Sequence, residues 1–415
     1  MTSATAFVPS RVSDPFTRDT RKFRLLSRLF TPDDVRPSRE QFEEFLPYLL
    51  MGDPAADAVT AWFHSEEGQR LHGRKCFHTI LTQGRGAVSD IPPVLAVFFD
   101  QVERVPLWLD RGRLARASET MRRTGDFAEL VLRNGALMGS YMAASATKPL
   151  MFTGRLADPK TTRRRLIETS TWWVHVTRPG GLERFGDGFL TTVRVRMMHA
   201  QVRYMLTHSG TWDARRWGHP INQADMLATN LLFSQLFLLG LRALGFRFTQ
   251  TEREDVMHFW RYAGYLMGVD ERLLPTGEAD AWRLSFMQYA TQDRPDDDSR
   301  MLVQALNRLP EDLAGEGFLA RQRAKLAVGY RAAFTRLLFG NRLADDLGLK
   351  MSPMAGAVLA TMPVVFGLET VRRLVPGGTR LAAWIGGRRF ERQLARDLAA
   401  TGGHAQYQAV SRLQR

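Results

Sequence analysis

Arg196, His199 and Arg203 fall three and four residues apart in the run DGFLTTVRVRMMHAQVRYMLTHS, residues 187–209. On a helix that spacing puts all three on one face, the imidazole between two guanidinium groups. A neutral imidazole can ligate a metal, and arginines can grip carboxylates. Together they suit a planar anionic cofactor, with a metal on the ring nitrogen and the arginines at carboxylates on its edge. The plainer alternative is a core histidine bonded to a backbone carbonyl, with two arginines reaching for water. A second group lies upstream in residues 160–177. Arg165, Glu168, Thr169 and Trp172 fall at i, i+3, i+4 and i+7, again one face. Polar groups beside a large aromatic suit a pocket wall; the alternative is a polar surface cluster with the tryptophans in the core.

Other chemistries lack their residues. There is no phosphate-binding loop, no G-x-G-x-x-G and no G-x-S-x-G elbow. Carboxylate-bridged di-iron bundles need two Glu-x-x-His pairs. Glu183, Glu252 and Glu254 are followed three residues later by Gly186, Asp255 and Met257. Cys76 is the only cysteine, so no disulfide framework or cysteine-held metal is expected. A single histidine on an apolar helix is left, which fits haem better than other metals.

The elements that must carry these residues read as helices. Leu190, Val193, Met197, Ala200 and Tyr204 recur at helical spacing, with Asp187 expected as the cap and Gly210 as the stop. Asn222 and Asp225 open a helix that is apolar on most sides and is expected to be central and buried. Thr249 and Glu252 match a capping box, with Thr251 and Glu254 as a second option. Helical patterns follow over 280–292, 297–308, 318–339, 355–374 and 379–399. Gly135, Gly139 and Ala143 recur every four positions, allowing close approach of a flat cofactor or, more commonly, of another helix. No strand alternation longer than a few residues is found, so the class is all-α. Residues 1–45 read as an arm. Residues 354–368, MAGAVLATMPVVFGL, are short and broken by Pro363. They read as a buried helix in preference to one lying in a membrane plane, and no membrane-spanning helix is expected.

The chain has 415 residues, 44% of them hydrophobic, and a net charge of +14. Only six of its 57 basic residues are lysines, and the arginines are spread along the whole chain. With no nucleic-acid motif beside them, they argue against DNA or RNA and leave open a basic face toward anionic lipid. The N-terminus has no apolar leader, and cysteine usage suits a reducing compartment. The localisation read from this is cytoplasmic, with peripheral membrane contact left open and no oligomeric state assigned.

An ordered set of segments resembles the rubber oxygenases (latex clearing proteins) and the related mycophenolate-pathway oxygenase. They are Arg165-x-x-Glu168-Thr169, then His199 thirty residues beyond Thr169 in MMHAQVR, GHPINQADMLAT at 218–229, and HFWRYAGYLMGVDERLLP at 258–275. The resemblance spans residues 53–275. It implies a globin-like helical core holding haem b, here residues 46–300, between the arm (1–45) and a C-terminal helical extension (301–415). It implies His199 as the proximal iron ligand, Arg165 and Thr169 on the distal side, and Arg196 and Arg203 as propionate partners. Glu168 stands where rubber oxygenases carry a distal lysine, and no acid stands near residues 148–149, where their proposed base glutamate falls. The activity implied is therefore oxygenation of an apolar, unsaturated small molecule by dioxygen, with Trp172, Met198 and Phe233 as substrate walls. The alternatives are a haem peroxidase or peroxygenase, a haem sensor, or a non-enzymatic basic protein binding membrane surfaces through 355–374 and 379–399.

Overall fold

Short polar side chains set many of the helix starts. Asp53 accepts the Ala56 N–H and opens Pro54–His64 (α1). Pro92 and Pro93 open Pro93–Glu103 (α2), where a missing N–H costs nothing. Asp110 caps Arg111–Arg122 (α3). The segments Asp126–Val131, Leu132–Leu137 and Met138–Tyr141 run on as one rod (α4), followed by Pro159–Thr177 (α5) and Asp187–Thr207 (α6). Asn222 caps Gln223–Ala243 (α7), and Thr249 with Glu252 forms the expected capping box on Gln250–Leu266 (α8). Asp297–Asp312 (α9), Phe318–Phe339 (α10), Ala355–Leu374 (α11) and Gly378–Ala399 (α12) follow, and further helices, among them Gly73–Gln83 and Glu278–Ala290, lie between these. Each side-chain cap contributes about 1 kcal/mol. The computed structural model describes residues 7–16, 25, 27, 28, 34–153 and 159–399, and among them there is no strand.

The start of α6 differs from expectation. Its cap is Gly186, not Asp187, which lies in the first turn with its carboxylate on Arg178 Nη1 at 2.9 Å. The reason is space. A Cβ on Gly186 would come within 2.7 Å of the Gly180 and Gly181 carbonyls, and one on Gly188 within 2.6 Å of Val176 Cα. Only glycines let this turn fold flat against the end of α5.

α5 and α6 pack antiparallel, α6 lies on α1, and α3 lies between α8 and α12. One apolar core runs through them, from Phe45 and Val59 through Trp173 and Met257 to Phe334 and Phe390. The C-terminal helices thus complete that core; the Phe390 ring meets Trp173 edge-on at 4.9 Å. A smaller cluster joins Tyr141 and Leu166 to Leu302 and Leu306 of α9. Part of the N-terminal arm docks as well: Arg11 is enclosed, with Nη2 on Asp225 at 2.5 Å and Nη1 on the Trp217 carbonyl at 3.1 Å.

α4 and α7 each contain a π-turn, at Leu132–Leu137 and Leu232–Leu236, and the two turns pack against each other. The small residues of α4 serve that packing. A Cβ on Gly139 would meet Phe339 at 3.0 Å and Leu232 and Leu236 at 3.5 Å, so the stripe admits neighbouring helices. α7 is mostly buried, as its all-round apolarity requires. α11 is not. Only Val358, Val365 and Glu369 are buried there, which corrects the expectation of a buried helix. Both α7 and α11 are long and apolar enough to cross a membrane by length and composition.

His258 on α8 carries a pH dependence. Its Nε2 accepts the Asp110 N–H at 3.0 Å, which needs the unprotonated ring. Burial, then Arg113, pushes its pKa down to about 4, with Arg261 adding to the fall and Asp110 and Asp255 opposing it. Between the ordinary value and that one, the unfolded chain takes up a proton that the folded chain refuses, so stability falls as pH falls. The loss near pH 4 is bounded above by ~1.4 kcal/mol per pH unit of that gap, and solvent screening of the ring keeps it well below that bound. Urea unfolding at about pH 7 and about pH 4.5 checks this: His258→Gln, which keeps an acceptor but not the titration, should lose distinctly less stability on acidification.

Candidate functional site

α6 presents its arginines and histidine as the spacing requires, and α1 answers them. Arg196 places Nε and Nη2 on the two oxygens of Asp53 at 2.6 and 2.9 Å, and Nη2 also reaches Gln101 Oε1 at 2.8 Å. Two turns on, Arg203 Nε meets Asp57 Oδ1 at 2.7 Å. Both arginine side chains are almost wholly enclosed. Burial raises the Asp57 pKa, and Arg203 opposes the rise. The edges expected to meet a cofactor's carboxylates are thus engaged by α1. Arg196 Nη1 and Arg203 Nη2 have no hydrogen-bond partner among the described residues.

His199 lies between these two pairs. Burial depresses its pKa to about 4; Arg203 and Arg165 add to the fall and Asp53 opposes it. The ring is therefore neutral at physiological pH and keeps a lone pair for a metal. Its Nδ1 is buried without a hydrogen-bond partner among the described residues, so the backbone-bonded alternative finds no support. The residue also keeps some uncovered surface.

α5 supplies the opposite wall. Trp172 Nε1 donates to Thr192 Oγ1 at 2.9 Å, which sets the register of the antiparallel pair. Seven residues back along α5 and seven forward along α6 bring Arg165 level with His199. The electrostatics agree: Arg165 acts on both His199 and the buried Tyr141 phenol. Thr169, one turn along, is exposed. Glu168 is mostly covered and accepts from Arg164 Nε at 3.2 Å.

Of the expected substrate walls, Trp172 and Phe233 meet edge-on at 5.2 Å, and Phe233 stacks on Trp260 at 5.1 Å. Met198 is half-buried on α6, beside His199 in sequence. Trp260 completes the aromatic group and was not singled out from sequence. Asp53 and Asp57 were missed too; their four-residue spacing on one helix face was the available signal.

Among the described residues, no three His, Cys, Asp or Glu side chains gather as a metal site. A metal at His199 would take its other ligands from a non-protein group. A macrocycle that brings its own nitrogens meets that need, and the orphaned, neutral imidazole fits haem on these grounds. A separate apolar cavity of about 570 Å³ opens among Leu109, Leu114, Val176, Phe189, Tyr262 and Trp384; His199 is not in its lining.

Residues 121–368 match the family model described as ER-bound oxygenase mpaB/B'/Rubber oxygenase, catalytic domain. The rubber oxygenase of Streptomyces sp. (strain K30) is 24% identical over 281 residues, which are 65% of this chain and 64% of that protein. The chain thus spans just under two thirds of that relative's length. The structure of latex clearing protein LCP in the closed state superposes with a TM-score of 0.60 at 19% identity. That match covers 84% of this chain and 91% of the other, and shows a shared helical fold.

Proposed function

The chain belongs to the ER-bound oxygenase mpaB/B'/rubber oxygenase catalytic-domain family, and from this we propose that it is a haem b-dependent oxygenase. Its substrates in this reading are dioxygen and an apolar, unsaturated, isoprenoid-like small molecule. The observation that carries the reading is His199: neutral, unbonded at Nδ1, and held on a central helix with part of its surface uncovered.

His199 would be the iron ligand. When bound, haem supplies the redox-active iron for oxygen chemistry at a carbon–carbon double bond. Cleavage of that bond leaves one oxygen atom of dioxygen on each of two product carbonyls. Arg165, level with His199 on α5, is the cation placed to donate hydrogen bonds to a polar or anionic oxygen on that side. Thr169 offers a hydroxyl one turn away. Trp172, Phe233 and Trp260 give an apolar wall that excludes water and orients a greasy substrate. Arg196 and Arg203 act by fixing α6 against α1. Glu168 motivates the second reading, a peroxygenase, because a covered carboxylate can hold or move a proton. Turnover with hydrogen peroxide but not with dioxygen would select it.

The test is an absorption spectrum after reconstitution with haem b. Wild-type protein should show a Soret band at one haem per chain. His199→Ala should lose it while its far-ultraviolet circular dichroism is unchanged. A colourless wild type, or a His199→Ala variant that keeps the same band, removes the reading.

A further inference from the structure

α11 is apolar on nearly every side, yet only a narrow stripe of it is covered. Val358, Val365 and Glu369 face the core. Leu359, Val364, Phe366, Leu368 and Leu374 are all more than half exposed. A helix that is greasy all round is stable in water only when surrounded, by protein or by lipid. The surface continues onto the start of α12, where Leu381, Trp384 and Ile385 are exposed. Such a contiguous patch, built on two adjoining helices, exceeds what isolated surface side chains explain.

Its charge is one-sided. Residues 347–390 hold six basic side chains (Lys350, Arg372, Arg373, Arg380, Arg388 and Arg389) and one acid, Glu369. That acid is buried and taken by Arg123 and Arg372. Guanidinium groups lie directly over rings of the patch: Arg388 over Trp384 at 4.5 Å and Arg247 over Phe366 at 4.8 Å. Apolar side chains rimmed by arginine, with an aromatic at the boundary, match the layering of a lipid–water interface. Because Val358 and Val365 are built into the core, α11 lies along the body and is held in that plane.

We propose that α11 and the start of α12 form an in-plane docking surface for an anionic phospholipid bilayer. The apolar side chains enter the acyl region and the arginines meet lipid phosphates. Trp384, Arg380 and Arg388 also line the 570 Å³ cavity, so a lipid-soluble molecule at this surface lies beside an opening into the protein. The inference does not rest on the haem reading.

The experiment is co-sedimentation of the full chain with vesicles of phosphatidylcholine alone and of phosphatidylcholine with phosphatidylglycerol, with analytical ultracentrifugation of the lipid-free protein. The full chain is expected to bind the phosphatidylglycerol vesicles preferentially, and less as salt rises. Leu368→Gln/Leu374→Gln should lower that binding about tenfold or more, since each side chain removes acyl-region burial. Arg380→Gln/Arg388→Gln should weaken it and flatten the salt dependence. Val97→Gln, an exposed apolar residue on α2, should leave it unchanged. No vesicle binding overturns the proposal. So does binding indifferent to the leucine pair, or a lipid-independent dimer that the leucine pair abolishes, which would make this face a contact between copies.

Discussion

Replacing Asp53 by alanine is expected to cost about 3–5 kcal/mol of stability, as the loss of one partner of a buried ion pair does. Arg196 would keep its charge with 1% of its side chain exposed and only Gln101 for its Nη2. Its contact over the Phe98 ring, at 5.0 Å, is too weak to replace a carboxylate. No rearrangement is readily available, because the backbone closes on the pair. A Cβ on Gly268, whose φ is +87°, would lie 2.2 Å from Asp53 Oδ2 and 2.5 Å from Arg196 Nε. The same substitution removes the α1 cap and the one anion that supports a proton on His199. Urea unfolding measures the loss. Asp53→Ala/Arg196→Met should be less destabilised than Asp53→Ala alone, because no bare charge is left inside. A single variant within 1 kcal/mol of wild type would show that water reaches Arg196, contrary to its enclosure.

The Arg196–His199–Arg203 face could be read from spacing because a helix wheel is local. Its partners could not. Asp53 and Asp57 lie 143 and 146 residues away, and an acid at a helix start satisfies local capping logic without revealing a distant arginine. The Arg164 Nε contact on Glu168 was not singled out either, because rotamers are not encoded by spacing. Capping boxes and caps at Thr249 and Asn222 were legible because every atom involved lies within four residues. Asp187 failed as a cap for a tertiary reason, the flat glycine turn against α5. α11 marks the boundary in another way: composition reports how greasy a helix is, not which sides find partners. The family match, residues 121–368, holds His199 and Arg165 but neither Asp53 nor Asp57. The carboxylates that lock the histidine helix therefore come from chain outside the matched region.

Glu369→Ala is expected to cost ~3 kcal/mol and to loosen α11 first. The carboxylate accepts from Arg123 Nη1 at 2.8 Å, from the Arg247 N–H at 3.2 Å and from Arg372 Nε at 2.9 Å. Arg123 has no side-chain exposure, and burial already lowers its pKa, with Glu369 the main opposing charge. Without it, Arg123 keeps Glu252 at 3.2 Å and the Arg247 carbonyl at 3.0 Å, which is why the loss should fall at the low end for a buried pair. α11 would then be held by Val358, Val365 and the hydrogen bonds of Thr361 with Tyr330 and of Thr370 with Arg247, against a water-facing apolar surface that contributes nothing to folding. Local opening should therefore precede global unfolding. Limited trypsin digestion should cut faster at Arg372 and Arg373 in the variant, while the urea midpoint falls. Glu369→Gln keeps an acceptor for the Arg247 N–H but not the charge, and should fall between. If Glu369→Ala unfolds with an unchanged midpoint and trypsin rate, α11 is held by something other than this carboxylate. If global unfolding keeps pace with cleavage, α11 is part of the cooperative core and not a separately attached element.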